Sequence, residues 1–241
     1  MRAIDLNADL GEGGSQDAEL MALASSVNIA CGGHAGDKET MDASVEEALE
    51  AGVAIGAHPG YEDREGFGRL PMDLEPAAVA DLVSQQVGRL TEIAAGIHHV
   101  KPHGALYNQA NRDPELAAAV VEGVKRIVPD CEFYVPPGGA LAAAAEAAGL
   151  AVRAEGFVDR RYQENGTLVP RGEPGAVIED VDEAIAQALQ IACKERVRTV
   201  TGTWIPLPAK TLCVHGDSPR AVELLGAVRQ ALEAAGFTIR A

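Results

Sequence analysis

Acidic and imidazole side chains recur at the ends of apolar segments along this chain of 241 residues. Asp9 and Glu12 follow the first such segment, and His34 follows the second. Five further residues hold the same position relative to later segments, namely His58, His103, Asp159, His215 and Asp217. Carboxylates and imidazoles exchange protons and bind divalent metals near neutral pH. This pattern predicts one acid–base or metal site, provided that the fold brings the segment ends together.

The surroundings of His34 indicate how such a residue is positioned. Apolar residues 26–31 predict a strand, a glycine-rich turn follows, and Asp37 is placed to cap a helix that Gly52 ends. The same order of strand, turn and helix continues along the chain, with predicted strands at 3–9, 53–57, 97–103, 131–135, 150–158 and 211–214. Residues 198–207 predict either a hairpin or a further strand. Helical spacing places Leu49 and Ile127 on buried helix faces.

Alternation of β and α segments favours a parallel sheet. We therefore predict an α/β fold with a single domain over residues 1–241, built as a TIM-like barrel of seven to eight (β/α) units. A doubly wound open sheet is the alternative. Polar residues at many strand ends favour the barrel, because barrel enzymes carry their catalytic groups there. The first strand also alternates, which predicts that one polar face lines a lumen or cleft, formed by Asp5, Asn7 and Asp9.

Composition narrows the set of partners and compartments. The formal net charge of −16 argues against nucleic acid or an anionic membrane surface as a partner. The four cysteines form no Cys-x-x-Cys pair, which predicts reduced thiols. Neither a secretory leader nor an apolar run of roughly 18 residues is evident, so we expect a cytoplasmic protein.

Seven motifs occur in order between residues 3 and 219: 5–12 (DLNADLGE), 28–37 (NIACGGHAGD), 56–59 (GAHP), 66–69 (GFGR), 100–108 (VKPHGALYN), 159–162 (DRRY) and 213–217 (CVHGD). With these motifs the chain resembles the LamB/YcsF family, which is the family of the first of the three 5-oxoprolinase subunits. Gly33 departs from the resemblance, since the family is expected to carry phenylalanine there, and this predicts a different pocket wall.

The resemblance implies a seven-stranded β/α barrel similar to those of glycoside hydrolases and polysaccharide deacetylases. It also implies ATP-dependent opening of 5-oxoproline to L-glutamate. The other two 5-oxoprolinase subunits, B and C, would use ATP to phosphorylate the lactam, and this chain would hydrolyse the activated lactam. The absence of a P-loop sequence, Gly-x-x-x-x-Gly-Lys-Ser/Thr, agrees with ATP being bound by a partner.

Such a reaction needs a base for water, an acid for the ring nitrogen and cations for the phosphate. The candidate bases are Asp9 and Glu12, and the candidate acids are His103 and His215. Lys101 and Arg160 are candidate anion ligands. Substrate binding is also assigned to Asn7, Asn28, His34, Asp159 and Asp217.

A divalent metal is the alternative use of the same side chains. The oxygen and imidazole ligands Asp9, His34, His58 and His103 suit Zn²⁺ or another transition metal, although they form no contiguous motif. A stand-alone metal-dependent deacetylase or other C–N hydrolase is therefore a second function. A third is a non-catalytic subunit that stabilises an ATPase complex. Asp5 and Asn7 could instead satisfy polar groups within the barrel, and His98 could be a surface residue.

Overall fold

In a computed structural model that describes residues 2–218 and 220–241, seven strands close into a parallel barrel. Numbered along the chain, the strands are β1 (Arg2–Leu10), β2 (Ser26–Ala30), β3 (Ala54–His58), β4 (His99–Val100), β5 (Glu132–Val135), β6 (Ala151–Phe157), β7 (Arg196–Arg198), β8 (Trp204–Pro206), β9 (Thr211–Val214) and β10 (Phe237–Ile239). β1 pairs with β2 on one side and with β9 on the other. The predicted barrel is thus confirmed with seven strands, and the open sheet is wrong.

The helices surround the barrel, between successive strands. They are α1 (Asp17–Leu23), α2 (Lys38–Ala51), α3 (Pro76–Thr91), α4 (Gly104–Ala110), α5 (Pro114–Ile127), α6 (Ala140–Ala147), α7 (Val181–Lys194) and α8 (Ala221–Ala234). The Asp37 side chain caps α2 by accepting a backbone N–H bond, as predicted, and Asp113 and Asp180 cap α5 and α7 in the same way. Gly52 ends α2 with a φ of 68°, a conformation that glycine adopts without strain.

Two predicted segments differ from the observed ones. The predicted strand at 97–103 is limited to His99–Val100, because Pro102 has no N–H for the ladder and His103 is already the N-cap of α4. Residues 198–207 belong to an antiparallel hairpin of β7 and β8, outside the barrel. β10 was not predicted, and it extends the sheet beside β1.

For two helix residues the prediction of burial is wrong. Leu49 is 60% exposed because its neighbour Ala48 takes the buried position, and Ile127, the last residue of α5, is 37% exposed. The sequence also predicts that Ser218-Pro219 caps the last helix, but Pro219 lies outside the described residues. All four cysteines are free thiols, as predicted. Within residues 2–218 and 220–241, none of the helices combines the length and hydrophobicity that a bilayer span requires.

The barrel interior is polar at its amino-terminal end. The Asp5 carboxylate accepts hydrogen bonds from Ser25 (2.6 Å), Ser26 (2.8 Å) and Thr211 (2.6 Å). The alternate residues of β1, from Ile4 to Leu10, face the helices and are also buried. The polar face of β1 continues from Asp5 through Asn7 to Asp9, toward the carboxyl end of the strand. In a parallel barrel the carboxyl ends of all strands lie at the same end, which is the mouth of the barrel.

Candidate active site

Asn7 and Asn28 lie inside the barrel and are fully buried. Asn7 Nδ2 donates to Glu155 (3.0 Å) and Thr211 (2.7 Å), and its Oδ1 accepts from Asn28 (2.8 Å). Asn28 Oδ1 lies 2.7 Å from His99 Nε2. Both amides are therefore occupied by protein partners, which corrects their assignment to substrate binding.

The Lys101 ammonium is buried next to these amides. Its Nζ lies 2.8 Å from Asp9 Oδ1, 3.0 Å from Glu155 Oε1 and 3.1 Å from Cys213 Sγ. Burial alone would lower the pKa of Lys101, but the nearby anionic groups, Asp9 first, raise it well above its usual value. An ammonium has three donors, and here each faces a protein partner. Lys101 nevertheless lines the cavity described below, and its role as a ligand of a substrate anion stays a prediction.

Asp9 is held as a carboxylate at the mouth of the barrel. Its Oδ1 accepts from Lys101 and from Asn28 (2.8 Å each), and its Oδ2 lies 3.5 Å from His58 Nε2. Burial would raise the pKa of Asp9, but Lys101 and His58 outweigh it and hold the pKa well below its usual value. A carboxylate with so low a pKa is a weak base, so Asp9 contributes chiefly its charge.

Glu12 is the better base of the two. Its Oε1 lies 3.0 Å from His34 Nε2, 3.4 Å from His103 Nδ1 and 3.8 Å from His58 Nε2. Burial, together with the charge of Asp9, raises the pKa of Glu12 to about 7. A carboxyl group with this pKa both accepts and releases a proton near neutral pH.

Glu12 and three histidines, His34, His58 and His103, form what we call the Glu–His group. One ligand atom from each of the four residues lies within 4.8 Å of the others, a spacing that could hold a metal ion. The Glu–His group differs from the predicted set of metal ligands in its carboxylate residue. Glu12 takes the place of Asp9, because Asp9 is bound to the buried Lys101.

Hydrogen bonds on the outer side of the Glu–His group fix two of its imidazoles. His58 Nδ1 lies 2.7 Å from the Lys101 carbonyl, and His103 Nε2 lies 2.9 Å from the Phe67 carbonyl. Carbonyls only accept, so these outer nitrogens carry protons, and in a neutral ring the inner nitrogen then carries a lone pair. The inner nitrogens face each other at 2.9 Å. Burial, followed by His34 and His58, lowers the pKa of His103 well below its usual value. Two facing lone pairs beside a carboxylate fit a bound cation.

His34 is held by ring stacking. Its ring lies on that of His103 with centroids 3.7 Å apart and planes 5° apart. Burial lowers the pKa of His34 to about 4, so the stacked ring is neutral at pH 7. Its Nδ1 is buried and finds no hydrogen-bond partner in the described part of the chain.

Gly33 lies against Gln86 and not against the cavity. A Cβ at Gly33 would lie 2.5 Å from Gln86 Nε2 and 2.7 Å from the Gly60 carbonyl. Gln86 donates to that carbonyl (2.7 Å) and accepts from the Gly60 N–H (3.0 Å). Gln86 thus fills the space that a larger residue at 33 would need, and it fixes the loop beside His34.

His215 forms a separate pair with Asp159. The Asp159 carboxylate lies 2.9 Å from His215 Nδ1 and accepts the His215 N–H at 3.1 Å. The imidazole stacks on Phe157, with centroids 5.2 Å apart. Nε2 has no hydrogen-bond partner within residues 2–218 and 220–241, so it is available for proton transfer. Asp159 orients His215, which differs from its predicted contact with substrate.

A cavity of about 480 Å³ opens at the carboxyl ends of the strands. Six predicted residues line it, which are Asp9, His58, Lys101, His103, Arg160 and His215. Glu12 and His34 contact the lining histidines. Asp217 is bonded to two lining arginines, Arg69 and Arg171. The predicted residues therefore lie at one end of the barrel but differ in their access to the cavity.

Glu155 is the main residue that the sequence analysis missed. It is buried, and it accepts hydrogen bonds from Asn7 (3.0 Å) and Tyr107 (2.8 Å) while it pairs with Lys101. The sequence could have indicated Glu155, because it lies four residues before Asp159. Side chains alternate between the two faces of a strand, so both residues point into the lumen.

Comparisons with known proteins agree with this architecture. Residues 4–241 match the model of the LamB/YcsF family. The crystal structure of a lactam utilization protein from Thermus thermophilus is 42% identical, has a TM-score of 0.92 and is covered over 100% of both chains. A polysaccharide deacetylase from Bacillus cereus has a TM-score of 0.51 at 16% identity, over 100% of this chain and 92% of that chain. A T48 deacetylase with substrate has a TM-score of 0.52 at 13% identity, over 99% and 87%.

The two deacetylases share the fold alone, since their sequence identity is low. The family match and the 42% identical neighbour both extend over essentially the whole chain. The chain therefore belongs to the LamB/YcsF family, as its motifs predicted.

Proposed function

We propose that this protein hydrolyses the amide bond of a small lactam, 5-oxoproline, after ATP-dependent activation by partner subunits B and C. The observation that carries the proposal is the Glu–His group beside an open cavity, with a Glu12 carboxyl whose pKa is about 7. The similar protein from Thermus thermophilus is described as a lactam utilization protein, which supports a lactam as substrate.

The chain's own residues divide the work. Glu12 accepts a proton from the attacking water, because its pKa is near neutrality. Asp159 accepts the Nδ1–H of His215 and so directs Nε2 at the cavity; after Nε2 has taken up a proton, it delivers that proton to the ring nitrogen as the C–N bond breaks. Asp9 and Lys101 are fixed charges at the cavity, positioned before the reaction begins.

A divalent metal fits the Glu–His group, since the inner nitrogens of His58 and His103 face each other at 2.9 Å beside the Glu12 carboxyl group. The ligands would be Glu12, His34, His58 and His103, and in the metal-bound site Glu12 would act as a ligand and not as the base. When bound, the ion would supply Lewis acidity toward a carbonyl or phosphoryl oxygen.

Protein that has been stripped of metal with a chelator is incubated with Zn²⁺ and then dialysed to remove the excess. We expect it to retain about one Zn²⁺ per chain, because four ligand atoms converge in the Glu–His group. Elemental analysis measures the ratio. His58→Ala should remove most of this metal, whereas His98→Ala should retain it because His98 lies outside the group. Equal metal content in both variants would exclude the Glu–His group as the metal site.

Gly60→Ala is expected to weaken Zn²⁺ binding by about 10–100-fold, as loss of ligand positioning typically does. The new Cβ would lie 2.7 Å from His34 Nδ1 and 3.2 Å from His103 Cβ, so both rings must shift. Competition with a chromophoric chelator measures the affinity. The matched control is Gly96→Ala, whose Cβ meets no atom within 4 Å. Unchanged affinity in Gly60→Ala would mean that the two rings are not ligands.

Reconstitution tests the division of labour with the partners. The chain is incubated with subunits B and C, ATP and 5-oxoproline, and glutamate and phosphate are measured with each component omitted in turn. We expect ATP consumption without glutamate when this chain is left out. Full glutamate formation in its absence would overturn the proposal and leave the role of a stabilising subunit.

A C–N hydrolase that works without ATP is the second candidate, and the Glu–His group is the observation that favours it. Glutamate formation by the metal-loaded chain alone, with no ATP, would support this alternative.

A further inference from the structure

Arginines Arg69, Arg112, Arg160 and Arg171 line the cavity, and we call the three at or near Asp217 and Asp159, namely Arg69, Arg160 and Arg171, the arginine cluster. Arg69 Nη2 and Arg171 Nη2 each lie 2.6 Å from a different oxygen of Asp217. One carboxylate thus bridges two guanidiniums from distant parts of the sequence. The arrangement already accommodates an oxyanion between these two side chains.

Arg160 is the buried member of the cluster, with 7% of its surface exposed. Its Nη2 donates to the Val169 carbonyl at 2.6 Å. Its Nε is also buried, yet among the residues that the structure describes it finds no hydrogen-bond partner. A buried donor of a charged group is costly to leave unpaired, so an unfilled guanidinium donor on a cavity residue indicates a ligand.

The charges around the cluster are not balanced by the protein. Arg69 and Arg171 share the single carboxylate of Asp217, while Asp159, the carboxylate beside Arg160, is hydrogen-bonded to His215. Burial lowers the pKa of Arg160, and although Asp159 opposes this, Arg171 and Arg69 lower it further by repulsion. A local excess of positive charge in a chain of net charge −16 favours an anionic ligand.

We propose that the arginine cluster is an oxyanion subsite of the substrate cavity, with Arg160 as its principal ligand and Asp217 as the internal anion that competes with the substrate. This inference rests on the proposed function, because it assigns the anionic end of the same substrate. The oxyanion is a carboxylate or a phosphoryl group, both of which match the planar guanidinium fork. Arg160 suits this role better than Lys101, because Lys101 Nζ already lies next to Asp9, Glu155 and Cys213.

Calorimetric titration of the purified chain tests the subsite with three probes: 5-oxoproline, 2-pyrrolidinone and inorganic phosphate. The second probe is the same lactam ring without a carboxylate. We expect the wild-type chain to bind at least one of the two anions, and Arg160→Gln to weaken that binding at least about tenfold. Binding of 5-oxoproline identifies the carboxylate as the ligand, and binding of phosphate alone identifies the phosphoryl group. Binding of 2-pyrrolidinone should not depend on Arg160.

Two further variants distinguish loss of the subsite from a general effect on folding. Asp217→Asn should strengthen anion binding, a gain that damage to the fold would not produce. Arg126→Gln is the matched control, because Arg126 is an exposed arginine paired with Asp81 and Glu122. The subsite is overturned if the wild-type chain binds neither anion, or if Arg160→Gln and Arg126→Gln bind both anions equally well.

The reconstituted assay separates failure of the subsite from failure of the function. Arg160-dependent anion binding without glutamate formation would leave the subsite and remove the proposed reaction. Glutamate formation by Arg160→Gln with the wild-type KM would leave the reaction and remove the subsite.

Discussion

Glu12→Gln is expected to lower glutamate formation in the reconstituted system by about 10²–10⁴-fold, the usual range for loss of a positioned base. The amide has nearly the same shape as the carboxyl group but cannot accept the proton of water. Its three imidazole neighbours would also lose the negative charge that they surround. The rate of glutamate release under saturating ATP measures the effect.

The fold of Glu12→Gln should be retained, since the substitution leaves no cavity in the apolar core. Glu50→Gln on the exposed face of α2 is the matched control and should keep the parent rate. ATP consumption by the partner subunits is expected to continue without ring opening in the Glu12 variant. A folded Glu12→Gln protein that forms glutamate at the parent rate would place the catalytic base elsewhere.

Lys101→Met is expected to destabilise the protein by about 3–5 kcal/mol, because it removes the cation from between two buried carboxylates, Asp9 and Glu155. For a chain of this size that corresponds to a fall in Tm of roughly 6–20 °C. Thermal unfolding followed by circular dichroism measures it. Removing the second charge in Lys101→Met/Glu155→Gln should restore part of the loss, since one fewer carboxylate then lies unpaired.

The control for this prediction is Lys38→Met, because the ion pair of Lys38 with Asp42 is exposed. Its Tm should stay close to that of the wild-type chain. If Lys101→Met unfolds at the wild-type temperature and only binds substrate less well, Lys101 is an anion ligand after all.

The barrel could be predicted because its signals are local. Strand alternation in β1, helix caps such as Asp37 and the regular order of segments are all properties of neighbours in the sequence. Roles within the site depend instead on partners across the barrel, which the register of distant strands determines. Lys101 and Arg160 look alike in the sequence as cations near strand ends. They differ in the structure because Lys101 is buried between Asp9 and Glu155, and no local sequence pattern indicates this.

The acid of the Glu–His group illustrates the same limit. Asp9 lies at the carboxyl end of β1, next to its last residue Leu10, and its position favoured it as the ligand, while Glu12 belongs to the turn beyond the strand. Lys101, which lies about ninety positions later in the sequence, binds Asp9. Glu12 is therefore the carboxyl group that belongs with the imidazoles. Arg171 was overlooked for a similar reason, since it lies in a loop far from any strand end and reaches the cavity only through the folded chain.

The hydrogen-bonded interior of this barrel also limits how the protein can evolve. In an apolar core, single exchanges among aliphatic residues are tolerated, so sequences drift one step at a time. Here Asn7, Lys101 and Glu155 satisfy one another, and a change in any one leaves a buried partner unpaired. Accepted changes therefore require simultaneous or compensating substitutions, and in an alignment of relatives we expect these positions to vary together or not at all. The lumen would then be the slowest-changing part of the lineage, including residues such as Asn7 that do not line the cavity.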